Sequence, residues 1–172
     1  MSVIETERLI LRQVSQDDHG DILAMISDPA VKEYDLHGFR NPDTAQLWVN
    51  RSLERYARDG FGMWAVELKT NPGFIGMMGI INHHIPEVDE LEVAWHLRRV
   101  YWGNGYATEG AMACRDYGFN KLGQPKMVSL ISPLNELSMR VARRIGMAQE
   151  KVIFINKFER DTAVFGVLRS DK

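Results

Sequence analysis

Residues 8–14 (RLILRQV) alternate apolar and polar side chains, the two-residue period of a strand with one face buried. Ser15 breaks that pattern and can cap a helix whose first turn carries Asp17 and Asp18, where the helix dipole favours acids. Ile22, Leu23 and Ile26 give this helix an apolar stripe. Asp28-Pro29 ends it, because proline pushes the residue before it toward extended backbone. Pro42 opens a second helix carrying Ala45, Leu47, Trp48, Val49, Leu53 and Tyr56, and Asp59-Gly60 closes it. Strands are predicted over 61–68, 74–82 and 91–97, joined by the Asn71-Pro72-Gly73 turn and a polar bend at 86–90. Gly103-Asn104-Gly105 then leads into a helix over 106–122. A short apolar strand follows at 126–131, then a helix over 135–145 with Gly146 as its C-cap, and strands at 148–156 and 162–168.

Hairpins in the middle of this order imply antiparallel pairing, and the strand-helix-strand unit implies one parallel neighbour. A mixed sheet in an α+β arrangement of mixed α/β layers is expected, with room for a cleft. No repeat, low-complexity tract or linker interrupts the pattern, so residues 1–172 read as a single domain.

Composition narrows the function classes. Lys and Arg number 21 against 23 Asp and Glu, which argues against a nucleic-acid partner and its concentrated basic field. No apolar run approaches the ~20 residues that cross a bilayer, and Glu5, Glu7 and Arg8 interrupt any N-terminal signal pattern, so no membrane partner is expected and a cytoplasmic setting is. The single cysteine, Cys114, reads as a small buried thiol on a helix.

Chemistry concentrates in residues 91–110 (LEVAWHLRRVYWGNGYATEG), where a strand runs through a two-glycine loop into a helix. Glycine allows several backbone N–H groups to point one way, and a helix N-terminus adds unsatisfied donors and partial positive charge; together they suit phosphate oxygens. Gly-x-Gly alone also describes a tight strand-to-helix turn. Neither Gly-x-x-x-x-Gly-Lys-Ser/Thr nor the third glycine of the dinucleotide fingerprint is present, because Tyr106, Ala107 and Thr108 follow Gly105.

The run from Trp102 to Glu109 (WGNGYATE) resembles the WGxGYATEA signature of GNAT acetyltransferases, in their RimJ/RimL-like branch. Further resemblances follow in order: ETERLILR at 5–12, Asp28-Pro29-Ala30-Val31, Gly76-Met77-Met78-Gly79, and NELSMRVARRIGM at 135–147. One position departs, Val100 standing where the wider superfamily has Gln or Arg, with Arg98 and Arg99 just upstream. The resemblance implies a GNAT fold: a mixed, mostly antiparallel sheet with strands four and five splayed apart, flanked by about four helices. It implies acetyl-CoA as co-substrate, with no metal. The pantetheine would pair with backbone near Trp95, His96 and Leu97, with Arg98 close by. The pyrophosphate would meet amides in the stretch Trp102, Gly103, Asn104, Gly105, Tyr106, Ala107 and Thr108.

On the later helix, Leu137, Val141 and Ile145 recur at i, i+4 and i+8 as an expected buried stripe, while Arg140, Arg143 and Arg144 share another face. That trio reads as solvated surface or as a source of charge for the 3′-phosphate of coenzyme A, for which Arg144 is the choice. Asn135 suits the helix N-cap and Ser138 the third helical position; the resemblance adds a cofactor contact for Asn135 and sets Ser138 beside the thioester sulfur.

Acetyl transfer to an amine needs a base, and Glu92 is the first candidate, with a cross-strand charge as its other reading. His83, His84 and His96 are rivals, although His83 and His84 should face opposite ways, which also argues against a two-histidine metal site. Ser138 would protonate the departing thiolate, since the tyrosine that some GNAT enzymes carry on this helix is absent. Tyr34, Asp35, Phe39 and His83 are the expected acceptor contacts, with Arg40 and Glu33 nearby, while Trp48 and Trp64 read first as core and second as acceptor neighbours. The expected activity is acetyl transfer from acetyl-CoA to a primary amine, on a protein N-terminus or a small molecule, directly in a ternary complex. The competing reading is a non-catalytic acetyl-CoA-binding sensor or partner module. Pairing into a homodimer through edge strands near the C-terminus is an option.

Overall fold

The computed structural model describes residues 2–33 and 42–170. They form one eight-stranded sheet in the order β1-β2-β3-β4-β5-β6-β8-β7. The strands are β1 (Ser2–Glu5), β2 (Leu9–Arg12), β3 (Met63–Leu68), β4 (Phe74–Ile81), β5 (Leu91–Leu97), β6 (Lys126–Ile131), β7 (Ala148–Ile155) and β8 (Arg160–Leu168). Helices α1 (His19–Ser27), α2 (Pro29–Lys32), α3 (Pro42–Asp59), α4 (Tyr106–Asn120) and α5 (Glu136–Arg144) complete the described fold. Only the β5–β6 pair is parallel; the other six pairings are antiparallel. The expected mixed sheet forms, and β1 turns its expected fourth and fifth strands into β5 and β6. None of the described helices is long and apolar enough to cross a membrane.

Alternation holds in β2, where Leu9 and Leu11 are fully buried and Ile10 and Arg12 only partly. The N-terminal β1 was not anticipated: it is four residues long, partly exposed and lacks a fully buried position, so its pattern carries little period. Asp28-Pro29 does end α1, but it also starts α2, with Pro29 in the first turn and the Asp28 carboxylate accepting the Ala30 N–H at 2.9 Å. β4 is buried throughout. Its glycines let neighbouring backbones close in: a Cβ on Gly76 would lie 2.2 Å from the His96 carbonyl, and one on Gly79 would lie 2.0 Å from that of Gly62.

Apolar clusters cover both faces of the sheet, the two larger ones under the helices and a third around Val128, Leu130, Phe158 and Val164. On one face Trp64, Met78, Val93 and Leu97 of the sheet pack with Cys114 of α4 and Met139 of α5; on the other Met77 and Ala94 pack with Met25 of α1 and Val49 of α3. The alternation of β5 therefore sends Val93, Trp95 and Leu97 toward α4, and Ala94 toward α3. α5 ends as expected: the Met147 N–H bonds to the Ala142 carbonyl and the Gly146 N–H to that of Arg143, a Schellman cap.

Candidate active site

β5 and β6 pair only at Leu91–Met127 and Glu92–Val128, after which they part. Side chains bridge the opening. The Ser129 hydroxyl donates to the Val93 carbonyl at 2.7 Å, and the Leu130 N–H donates to the Glu92 carboxylate at 3.2 Å. Each replaces a backbone rung at the apex of the V. Val93 thus turns its carbonyl toward the gap, and strand alternation turns the N–H and C=O of Trp95 the same way. A pantetheine chain could pair with that edge as an added strand. The V opens into a cleft of about 430 Å³.

At the far end of β5 the Trp102 indole N–H donates to the Leu97 carbonyl at 2.9 Å, folding the loop back on the strand. Gly103 and Gly105 both adopt left-handed backbone, with φ of 80° and 79°. Nothing lies within 4 Å of a Cβ built on Gly103, so the glycine there serves conformation and leaves the loop's outer side open to a ligand. The first helical bond of α4 runs from the Glu109 N–H to the Gly105 carbonyl at 3.0 Å, which leaves the amides of Tyr106, Ala107 and Thr108 outside the helical ladder. All three line the cleft together with Trp102, Gly103 and Gly105. This donor set fits a diphosphate.

The loop is tied down from behind. Glu109 accepts from the Thr6 hydroxyl at 2.6 Å, the Arg8 N–H at 2.9 Å and the Arg8 Nε at 2.6 Å. Arg8 also donates to the Asn104 carbonyl at 3.0 Å and stacks over the Tyr106 ring at 4.6 Å. Burial would raise the Glu109 carboxyl, but the hydrogen bonds from Thr6 and Arg8 outweigh it and hold it below its ordinary value. In the sequence Thr6, Arg8 and Glu109 stand only as letters of two separate motifs, and the opposite charges of Arg8 and Glu109 are the available signal of their contact. Asn104, expected among the cofactor contacts, turns its side-chain amide back to the carbonyls of Tyr101 and Trp102 and does not line the cleft. Nor does Arg98, whose N–H bonds to the Ile75 carbonyl and whose guanidinium lies 3.6 Å from Asp21.

α5 supplies the opposite wall. Asn135 caps it by accepting the Ser138 N–H at 3.0 Å, and both residues line the cleft. The stripe expected to be buried holds in part: Ile145 is fully buried and Val141 packs against the core while also lining the cleft, but Leu137 is 51% exposed and lines the cleft, and Met139 and Ala142 fill the core beside Ile145. An open cleft accepts apolar side chains as readily as a core does, so spacing alone does not tell Leu137 at the cleft from Ile145 in the core. Arg140 and Arg144 lie along the cleft side. Arg143 pairs with Glu136 at 2.9 Å and stacks over Phe165.

Glu92 lines the cleft at its apex, buried, and His96 lies on the same face of β5, edge-on to Trp48 at 5.0 Å. His83, expected as an acceptor contact, does not line the cleft; it is buried behind Glu92, 2.5 Å from its carboxylate. His84 points away, exposed, 3.4 Å from Asp59. Trp64 is core and Trp48 half-buried. Tyr34, Asp35, Phe39 and Arg40 lie outside the described residues. Cys114 is fully buried in α4, where burial pushes its thiol up, away from the thiolate form, and it does not line the cleft.

The family model described as an acetyltransferase (GNAT) domain matches residues 8–148. The chain is 35% identical over 161 residues to the uncharacterized protein YkkB of Bacillus subtilis (strain 168), covering 93% of this chain and 92% of that one. It is 24% identical over 164 residues to the FsC-acetyl coenzyme A-N(2)-transacetylase of Aspergillus fumigatus, covering 91% of this chain and 68% of that one. The crystal structure of an acetyltransferase from Agrobacterium tumefaciens str. C58, 29% identical, aligns with a TM-score of 0.83 over 96% of this chain and 94% of that one. RimL, a ribosomal L7/L12 alpha-N-protein acetyltransferase solved in complex with coenzyme A, aligns with a TM-score of 0.77 over 98% of each chain at 13% identity, a likeness of fold alone. With a family match over most of its length and relatives that span nearly all of it, the chain belongs to the GNAT family of acetyl-CoA-dependent N-acetyltransferases.

Proposed function

We propose that the protein moves the acetyl group of acetyl-CoA directly to a primary amine, on a protein N-terminus or a small molecule, within a ternary complex. One observation carries this reading: the unpaired edge of β5 and the free amides at the start of α4 open into a single cleft, lined at its apex by a carboxylate. The diphosphate rests on the amides of Gly103, Gly105, Tyr106, Ala107 and Thr108; the pantetheine pairs with the backbone of Trp95 and the Leu97 N–H, the backbone of His96 facing β4 instead; Arg144 takes the 3′-phosphate, and Asn135 adds a polar contact.

The acceptor nitrogen attacks the thioester carbonyl carbon, and the carbon–sulfur bond breaks. Glu92 takes the amine's proton, the Trp95 N–H steadies the carbonyl oxygen, and the departing thiolate takes a proton from solvent through the Ser138 hydroxyl, which gives one proton and receives another, while Glu92 returns its proton to solvent. No cysteine lines the cleft among the described residues, which supports direct transfer over an acyl-enzyme. The acceptor approaches from the α3 side, past His96 and Trp48, with Tyr34, Asp35 and Phe39 as its further contacts.

A screen of peptides with free N-termini, polyamines, amino acids and aminoglycosides, followed by release of free thiol, tests the reading. At least one class should give thiol matched by an equal amount of acetylated amine. Binding of acetyl-CoA without turnover on any of them would overturn it in favour of a sensor.

A further inference from the structure

The cleft carboxylate has a partner buried beneath it. One Glu92 oxygen accepts the Leu130 N–H at 3.2 Å, and the other lies 2.5 Å from His83 Nε2. The two side chains are 9% and 2% exposed. The His83 ring meets Phe158 edge-on at 5.4 Å; Phe158 and Glu92 face the cleft, with His83 beyond them. The second ring nitrogen, Nδ1, is buried and has no hydrogen-bond partner among the described residues.

These contacts restrict the proton arrangement. If Glu92 is ionised, as its role as base requires, its carboxylate only accepts, and the proton of the contact belongs to His83 Nε2. A second proton on Nδ1 would bury a cationic N–H with nothing to receive it, whereas a neutral ring leaves only a bare lone pair. The surrounding charges point the same way. Arg55 from α3 and Lys157 from the β7–β8 turn both sense Glu92. Burial lowers each from its ordinary value, Arg51 and Arg58 repel both, Arg55 also repels Lys157, and the Glu92 charge opposes the loss. Lys157 Nζ lies 3.5 Å from the His83 carbonyl. His96, on the same face of β5, is the remaining titratable neighbour on that strand. A cation on His83 would add to a positive set, and an anion on Glu92 relieves it.

We infer that His83 is a positioning residue for acetyl transfer: as the neutral Nε2–H tautomer it aims the Glu92 carboxylate into the cleft and keeps it in the proton-accepting form. The inference rests on the reading of Glu92 as the base. His83 itself does not touch the substrate; it acts through Glu92.

Carbon-13 NMR titration of the Glu92 carboxyl, assigned with the Glu92→Gln variant, needs no acceptor. His83→Phe should raise the Glu92 midpoint by about one pH unit or more, and His83→Gln, which keeps an N–H donor, should stay nearer the wild type. Nitrogen-15 spectra of the wild type at neutral pH should place the His83 proton on Nε2 and leave Nδ1 bare. A midpoint unmoved in the Phe variant, or an imidazolium or Nδ1–H form in the wild type, overturns the inference; should the Phe variant not fold, the wild-type tautomer decides alone. Turnover separates the two readings. Glu92→Gln at full rate, with the amine found by the screen, overturns both. Loss of rate there with an unmoved His83→Phe midpoint overturns only the role of His83.

Discussion

Glu109 and Arg8 stand 101 positions apart, yet their contact sets the shape of the loop offered to the diphosphate. The ion pair is partly exposed, so its worth lies in geometry: one carboxylate gathers Thr6, Arg8 and, through Arg8, the Asn104 carbonyl. Glu109→Gln should raise the Kd for acetyl-CoA roughly tenfold while the fold persists, measured by calorimetry with circular dichroism as the check. The pH dependence has a definite sign. The Glu109 carboxyl is held below its ordinary value near 4.5, so its contribution to stability is present above that pH and is lost as pH falls through the lower folded-state value. Urea unfolding should therefore show Glu109→Gln less stable than the wild type at neutral pH and the gap closing in acid. Contacts of this separation leave no period in the sequence, and only the matched charges hint at them; the His83–Glu92 contact, nine residues apart across the β4–β5 connection, is not marked even by charge.

At the scale of elements, α5 is the instructive case. Its ends were legible, since Asn135 and Gly146 carry cap chemistry that needs no tertiary context. Its faces were legible only in part: Ile145 enters the core as the spacing implies, but Leu137 and Val141 line a wall of the cleft, and Met139 and Ala142 join the core from outside the expected stripe. Burial makes a measurable distinction between them. Met139→Ala should cost about 2–5 kcal/mol of stability, and Leu137→Ala less than about 0.5 kcal/mol, by urea denaturation. Equal costs would mean that α5 is rotated relative to the arrangement described. Strand β1 escaped notice for a related reason: a short edge strand with no buried position has nothing for periodicity to detect. By contrast β2 to β6 announced themselves, through alternation in β2 and through apolar runs bounded by turn residues in the buried centre.

For the molecule as a whole, the parallel β5–β6 pair is the one place where the antiparallel sheet changes direction, and it is where the strands part. A crossover through α4 forces that parallel neighbour, and the same crossover delivers the helix N-terminus to the mouth of the gap. Cofactor slot and phosphate loop are thus two consequences of one topological step. The glycine loop and its helix were legible as a phosphate receptor, whereas the width of the V depends on Ser129 and Glu92 bridging the parting strands. The most direct test is calorimetric titration of acetyl-CoA into the wild type and into Gly105→Val, whose left-handed backbone a β-branched residue resists. The wild type should bind one equivalent saturably and the folded variant at least about tenfold more weakly. A folded wild type that takes up no acetyl-CoA, or a variant with unchanged affinity, would contradict the account.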